Sequence, residues 1–400
     1  MLSFNNCVSL GVRRRSGWCG DAIRDKPCLE PSKDFSKKGD VSPVRIRLPF
    51  SDHSIDICTI STYLFQGDPV SMTELNSALE KYAAMVNKRI EKCIPRVGQP
   101  VTLYKPIWEL LDRGGKRLRP SLTFLFCEAV GGRARNALAA AAAVEILHNM
   151  TLIHDDIEDD SELRRGKPCI HIMFGLPAAV NCGDAMLIKA LGVASDVPLS
   201  EAKRNQLVQK FVDRAFQITK GQALEFELKS QENFTDEDVI KVFRSKTGVL
   251  IALACEAGAI VGGARKNQLS AATQFGESIG VGFQVVDDLL NVVGDVRKYG
   301  KEIGGDIREG KRTIMAAHLV RSASRDDRDQ FLSLLGKSAI SSEEVSQAIG
   351  MYRKYGSLQY AKKVADKYVE NGLRALTRLP KSDAREMLGA LARFLVQREF

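Results

Sequence analysis

Residues 139 to 165 constrain this chain more than any other stretch. The alanine run Ala139 to Ala143 is strongly helix-forming, and the helix it starts leads into Asp155, Asp156, Glu158, Asp159 and Asp160, with Glu162 just beyond. On a helix, positions i and i+4 share a face, so Asp155 and Asp159 point the same way with Asp156 beside them. These carboxylates repel one another unless something positive sits among them. Mg²⁺ prefers such oxygens and is usually held by one or two carboxylates plus substrate phosphates. Arg164 and Arg165 follow closely, and arginine matches phosphate geometry. Acid for metal and arginine for phosphate, at one helix end, make a site for a metal–diphosphate complex. The competing reading is a solvated acidic face with a basic C-terminal turn.

A second cluster far downstream decides between them. Gly282-Phe283-Gln284-Val285-Val286-Asp287-Asp288-Leu289-Leu290-Asn291 embeds an Asp-Asp pair in a strongly apolar helix. Carboxylates are almost never fully buried unless paired. Here a solvated face fails as an explanation, and Asp287 and Asp288 need a cation. Three basic segments accompany the acids. Gly114-Gly115-Lys116-Arg117-Leu118-Arg119-Pro120 places Lys116 and Arg119 at a helix start, where backbone amides favour anions; alone, it could be a basic turn in solvent. Lys246 and Thr247 precede a nearly all-apolar, hence buried, helix from Val249 to Val261; Lys246 either snorkels or holds an anion. The glycine- and lysine-rich loop 298–313, with Lys301 and Lys311, can fold over phosphates or be an ordinary surface loop.

From Thr73 almost to the end the pattern is helical. Leu75, Leu79, Tyr82 and Val86 recur at helical spacing, and extended period-two runs are lacking. The expectation is an all-α chain, with a helical domain over 72–400. At 44% hydrophobic residues a core is affordable. The net charge of +9 is modest, with bases interspersed among acids and no basic stripe interleaved with aromatics, which argues against nucleic acid. No apolar run of about 18 residues appears, so no transmembrane segment is expected. Nine scattered cysteines without Cys-x-x-Cys pairs fit a reducing compartment. Residues 1–71 differ: Arg13, Arg14 and Arg15 precede the first acid, Asp21, as in an organelle transit peptide. The alternative is an upstream extension before a true start at Met72. A soluble protein is expected either way, plastid or mitochondrial in the first case and cytoplasmic in the second. The segment is expected to be disordered and free of chemistry, so that removing residues 1–71 leaves stability nearly untouched.

The chain resembles the trans-isoprenyl diphosphate synthases, the polyprenyl synthetase family, closest to archaeal-type geranylgeranyl diphosphate synthases. The resemblance covers about Leu75 to the C-terminus. It rests on GGKRLRP at 114–120, LIHDDIED with RRG at 152–166, KT at 246–247, GFQVVDD at 282–288, and the GK-to-GKRT loop at 300–313, in family order. It implies a single large helical bundle with a central apolar cavity, a homodimer, and Mg²⁺-dependent head-to-tail condensation of isopentenyl diphosphate with an allylic diphosphate. By resemblance Lys116, Arg119, His148 and Arg165 contact isopentenyl diphosphate. Arg164, Lys246, Thr247, Gln284 and Lys301 contact the allylic partner, and Lys311 belongs to the same substrate-binding set. Asp155, Asp159 and Asp287 bind metal, and Asp156, Asp288 and Lys246 complete the catalytic set. The family usually has a third aspartate where Asn291 stands; an amide oxygen carries no charge, leaving Asp287 and Asp288 to hold the last ion. Met150 and Thr151, one turn before Asp155, with Leu147 a turn further, set the floor for the growing chain. Methionine there implies geranylgeranyl diphosphate (C20), with some C25. A longer-chain synthase and a non-catalytic subunit of a synthase heteromer are the alternatives. A terpene cyclase would not need Lys116, Arg119 and His148.

Overall fold

The first helix shows how the pattern becomes structure. In the computed structural model, which describes residues 70–294 and 303–396, α1 (Met72–Cys93) buries Leu75, Leu79, Tyr82, Val86 and Ile90 along one face. Ser71 caps it: its hydroxyl accepts from the Glu74 amide, and the Glu74 carboxylate accepts from the Ser71 amide at 2.9 Å. Val70, just before the cap, is 6% exposed and part of the core. The expectation that a cut after residue 71 costs nothing therefore needs correction. A chain starting at Met72 should melt about 2–5 °C below one starting at Val70, since the cap contributes about 1 kcal/mol and the valine a similar amount. Equal melting temperatures in thermal scans would contradict this. Residues 1–69, on which compartment depends, lie outside the described residues, as do residues 295–302 with Lys301.

Helices follow one another as the pattern predicts. They are α2 (Val101–Leu111), α3 (Leu118–Ala129), α4 (Leu138–Glu158), α5 (Ile170–Phe174), α6 (Leu176–Ser195), α7 (Glu201–Lys229) and α8 (Asp236–Phe243). A π-turn, Arg244–Gly248, joins α8 to α9 (Val249–Gly262). Then come α10 (Lys266–Val293), the one-turn α11 (Gly305–Arg308), α12 (Ile314–Ser322), α13 (Arg325–Leu334), α14 (Ser342–Lys354), α15 (Ser357–Leu376) and α16 (Asp383–Val396). The only strands among the described residues are Leu163–Arg164 and Lys167–Pro168, an antiparallel hairpin.

α10 is the axis. It packs along α9 on one side and α15 on the other, while α9 lies along α3 and α4 along α6. The α9–α10 approach depends on glycine: a Cβ on Gly276 would stand 2.3 Å from Ala252 Cα, and one on Gly280 2.4 Å from Gly248 Cα. α9 is buried all round, as expected, but carries Glu256, which is fully buried. Arg214 from α7 meets it at 2.9 and 2.7 Å, with Thr273 at 2.7 Å and Lys210 at 3.3 Å. A buried charge persists only when paired in this way.

Helix-forming apolar stretches also reach membrane-like length, contrary to the expectation from unbroken apolar runs. Ala134–Glu158, Leu176–Ser195 and Asp236–Gly262 are each long and apolar enough to cross a bilayer. The first and third are 78% buried within the fold, which explains their hydropathy as core packing; the Leu176–Ser195 window is only 33% buried.

Candidate active site

α4, α7, the π-turn, α10 and the segment 305–311 converge on a cavity of about 360 Å³. Asp155 and Asp159 line one wall, Asp287 the facing wall, and Lys246, Thr247 and Glu225 the third. The two acidic segments, separated by about 130 residues of chain, thus face one cavity, as the sequence implied.

The two members of each Asp-Asp pair part company. Asp155 and Asp287 line the cavity, and their neighbours turn to cations. Asp156 is 1% exposed and accepts from Arg164, at 2.8 Å from its Nε and more closely from its Nη2. Asp288 is 2% exposed and accepts from Lys311 Nζ at 2.8 Å and Gln284 Nε2 at 3.0 Å. Asp156 and Asp288, expected in the catalytic set, hold the arginine and lysine of the site. A helix puts i and i+1 about 100° apart, so the second member of each pair is turned toward a different neighbour.

Asp159 is the cap of α4 and not part of its body, and Asp160 follows in the left-handed region at φ 48°. The arginines expected on the helix end stand instead on the hairpin. Its turn is Arg165-Gly166, both at positive φ (55° and 73°), as the tightest hairpin turns require. Arg113 fastens this hairpin: its side chain is 1% exposed, and it donates to the carbonyls of Arg164 at 3.0 Å and Pro168 at 2.8 Å. Arg165 in turn donates to the Gly114 carbonyl. Loop 114–117 and hairpin 163–168 are thereby interlocked.

The other predicted groups form two sets. Thr247 Oγ1 donates to Gln284 Oε1 at 2.9 Å, continuing the Gln284–Asp288–Lys311 chain. Lys246 lies 2.6 Å from Glu225 and 3.5 Å from Asp155. In the second set, Arg119 Nη1 donates to His148 Nε2 at 3.1 Å. Because arginine cannot accept, the His148 proton sits on Nδ1, which is buried and has no partner. Burial, with Arg119 and Arg165 adding to it, pushes His148 well below its usual pKa, so it is neutral. Burial likewise lowers Arg119 to about 10, leaving it charged. Lys116 is the outlier among the predicted contacts. It lines a separate hollow of about 300 Å³ beside α16, with Nζ 5.3 Å from the Phe394 ring centroid. Of the chain-length residues, Leu147 and Met150 are buried in the core, and Thr151 donates to the His148 carbonyl at 2.9 Å. Leu152 reaches the cavity wall instead.

Glu225, Lys229 and Asp306 were missed. Glu225 and Lys229 sit on a helix that reads as amphipathic, and Asp306 in a loop that reads as flexible. Lys229 lies 3.5 Å from Asp159, and Asp306 lines the cavity 3.8 Å from Lys311. Burial opposes the charge on Lys311, but Asp288 and Asp306 outweigh it and hold the ammonium well above its usual pKa. Asn291, which stands in the family's third aspartate position, accepts from the Asp306 amide at 3.1 Å. Its backbone carbonyl accepts from the Gly304 amide at 2.8 Å, and Asp306 adds carboxylate charge to the wall that Asn291 leaves neutral.

The donor set fits a divalent cation. Asp155, Asp159 and Asp287 present their carboxylates to one cavity, and burial pushes Asp155 up despite the nearby Lys246. Among the described residues no three acidic, histidine or cysteine side chains are already gathered as a ligand cluster. Mg²⁺ suits such a site, since it takes one or two carboxylates and completes its shell with water and phosphate oxygens.

An all-α bundle with two facing aspartate-bearing helices and an arginine- and lysine-lined cavity defines a prenyltransferase of the isoprenyl diphosphate synthase type. The chain belongs to the polyprenyl synthetase family, whose profile matches residues 100–352. It is 39% identical over 328 residues to a short chain isoprenyl diphosphate synthase of Methanothermobacter thermautotrophicus, covering 82% of this chain and 100% of that one. The crystal structure of geranylgeranyl pyrophosphate synthetase from Pyrococcus horikoshii superposes with a TM-score of 0.78 at 34% identity, over 82% of this chain and 99% of that one. The geranylgeranyl pyrophosphate synthase of Corynebacterium glutamicum, complexed with isoprenyl diphosphate and magnesium, matches at 28% identity and a TM-score of 0.73, over 82% of this chain and 100% of that one.

Proposed function

We propose that the protein condenses isopentenyl diphosphate with an allylic diphosphate, with Mg²⁺ as cofactor and geranylgeranyl diphosphate as main product. The observation that carries this is the single cavity on which Asp155, Asp159 and Asp287 converge with Lys246 and Arg164. When bound, Mg²⁺ ions neutralise the departing diphosphate. Arg164 and Lys246, held by Asp156 and Glu225, bind that diphosphate and stabilise charge as the C1–oxygen bond breaks. Lys311, anchored by Asp288, contributes to the same field. Arg119, His148 and Arg165 hold isopentenyl diphosphate, whose double bond attacks the allylic cation, and the released diphosphate takes the final proton. The apolar wall of Leu152, Val242 and Phe243 keeps water from quenching the cation.

Incubating the full chain with Mg²⁺, labelled isopentenyl diphosphate and each allylic primer tests the reading. The expected outcome is labelled C20 alcohol after dephosphorylation. No turnover with any primer would favour the non-catalytic subunit, and a product of C40 or longer would replace the short-chain assignment.

Arg113 gives a sharper test of the geometry. Arg113→Ala should raise KM for isopentenyl diphosphate about tenfold, with a smaller change in kcat, because two charge-assisted hydrogen bonds holding the Arg164-Arg165 hairpin are lost. Arg113→Lys should not restore it, since an ammonium lacks the planar fork that spans two carbonyls. An unchanged KM in both variants would remove the hairpin from substrate binding.

We also propose a homodimer. α6 and α7 pack together and expose Val180, Ile188, Val212 and Phe216, an apolar face that a second copy would cover. Light scattering on the full chain decides it: a monomer mass at micromolar concentration would exclude the pairing.

A further inference from the structure

Across the π-turn from the catalytic cavity lies an open hollow of about 480 Å³. It is set between α10 and α15, and no part of the proposed chemistry uses it. Its volume falls in the range of small-molecule sites, about 300–1,000 Å³. Arg244, Arg374 and Arg378 line it. Their charges are not neutralised within the fold. Arg374 donates to the Asn371 side chain and Arg378 to Gln274 at 2.6 Å, both neutral amides. The Arg244 side chain makes no hydrogen bond or ion pair among the described residues. Glu277 is the one carboxylate on the wall, and it is shared with Arg214 at 3.4 Å as part of the Glu256 network. Three guanidinium groups in one concavity against one committed carboxylate make a field for a polyanion, and arginine binds phosphoryl oxygens in pairs.

The position gives the cavity a consequence. Arg244 and Lys246 belong to the same five-residue π-turn, Arg244 lining the outer cavity and Lys246 the catalytic one. Gly221 of α7 wedges this turn, since a Cβ there would stand 2.6 Å from the Lys246 nitrogen. Single π-turns inside helices recur at functional sites. A ligand that draws Arg244 toward Arg374 and Arg378 pulls on the backbone that carries Lys246 and Thr247.

We propose that this cavity is a second anion site, taking the diphosphate group of free diphosphate or of a prenyl diphosphate, and that its occupancy changes turnover through the Arg244–Gly248 turn. The site is distinct from the aspartate-lined one and needs no metal.

Equilibrium dialysis of the full chain against inorganic diphosphate in excess chelator tests it, with Arg374→Ala/Arg378→Ala and Asn371→Asp as variants. Asn371 and Arg374 lie on α15 and Arg378 just past its end, and none of the three lines the catalytic cavity. Wild type is expected to bind one more diphosphate per chain than either variant, with affinity at that site falling about tenfold for each arginine removed. A parallel arm with geranylgeranyl diphosphate separates the sources: an extra equivalent confined to that arm identifies the product as occupant. In kinetics with saturating substrates and Mg²⁺, added diphosphate should lower kcat in the wild type. In the variants it should act purely competitively, and their basal kcat should match the wild type. Equal stoichiometry in wild type and both variants would overturn the site. An extra equivalent with identical inhibition patterns would overturn its link to turnover.

Discussion

Asp155→Ala should reduce condensation by about a thousandfold or more while leaving the helical circular dichroism and melting profile intact. The side chain lines the cavity within 3.5 Å of Lys246 and contributes no core packing, so its loss is electrostatic. Removing one preorganised group that stabilises developing charge typically costs about 10²–10³ in kcat. Asp155 also stands to lose a metal contact, which places it at the upper end. The variant should respond weakly to added Mg²⁺. Near-normal turnover at limiting Mg²⁺ in a folded variant would show that the first acidic cluster is not the metal site. Asp156→Ala makes an informative contrast. It strands Arg164 instead of removing a group from the cavity wall, so KM for the allylic substrate should rise more than kcat falls.

Met150 governs the second large effect. It lies five residues before Asp155 on α4, 7% exposed and surrounded by core, with Leu147 fully buried behind it. On the proposed function, the chain that grows from the diphosphate site would run past Leu152 and down this helix, and the first bulky side chain it met would end elongation. Methionine is flexible and of intermediate bulk. Met150→Ala should therefore lengthen the product by at least one isoprene unit, and Met150→Phe should hold it at C20 or shorten it. The alanine variant leaves a cavity and should be destabilised by about 2–5 kcal/mol, so product length is compared at a temperature where both variants are folded. Chromatography of the dephosphorylated products decides the matter. An unchanged length distribution in both variants would make Met150 ordinary core.

Much of this protein is legible in one dimension because its signals are local or strongly periodic. The face of α1 follows from Leu75, Leu79, Tyr82 and Val86, and the buried α9 from its composition. The Asp-Asp pair in the apolar helix requires a cation wherever that helix is placed, and Asp288 meets Lys311. Tertiary structure alone decided which carboxylate of each pair does what. Spacing puts Asp155 and Asp156 side by side, but only the approach of the hairpin gives Asp156 its Arg164, and only the return of residue 311 gives Asp288 its lysine. Glu225 and Lys229 look like solvated charges in sequence, because what makes them part of the site is a neighbour about 20 and about 70 residues away. Asn291 reads as a neutral stand-in for an aspartate, and only the fold shows that its side chain accepts from the Asp306 amide. Local sequence sets backbone conformation and which side chains must be buried; long-range packing sets which cation each buried carboxylate meets, since Coulomb energy depends on distances that no local pattern encodes.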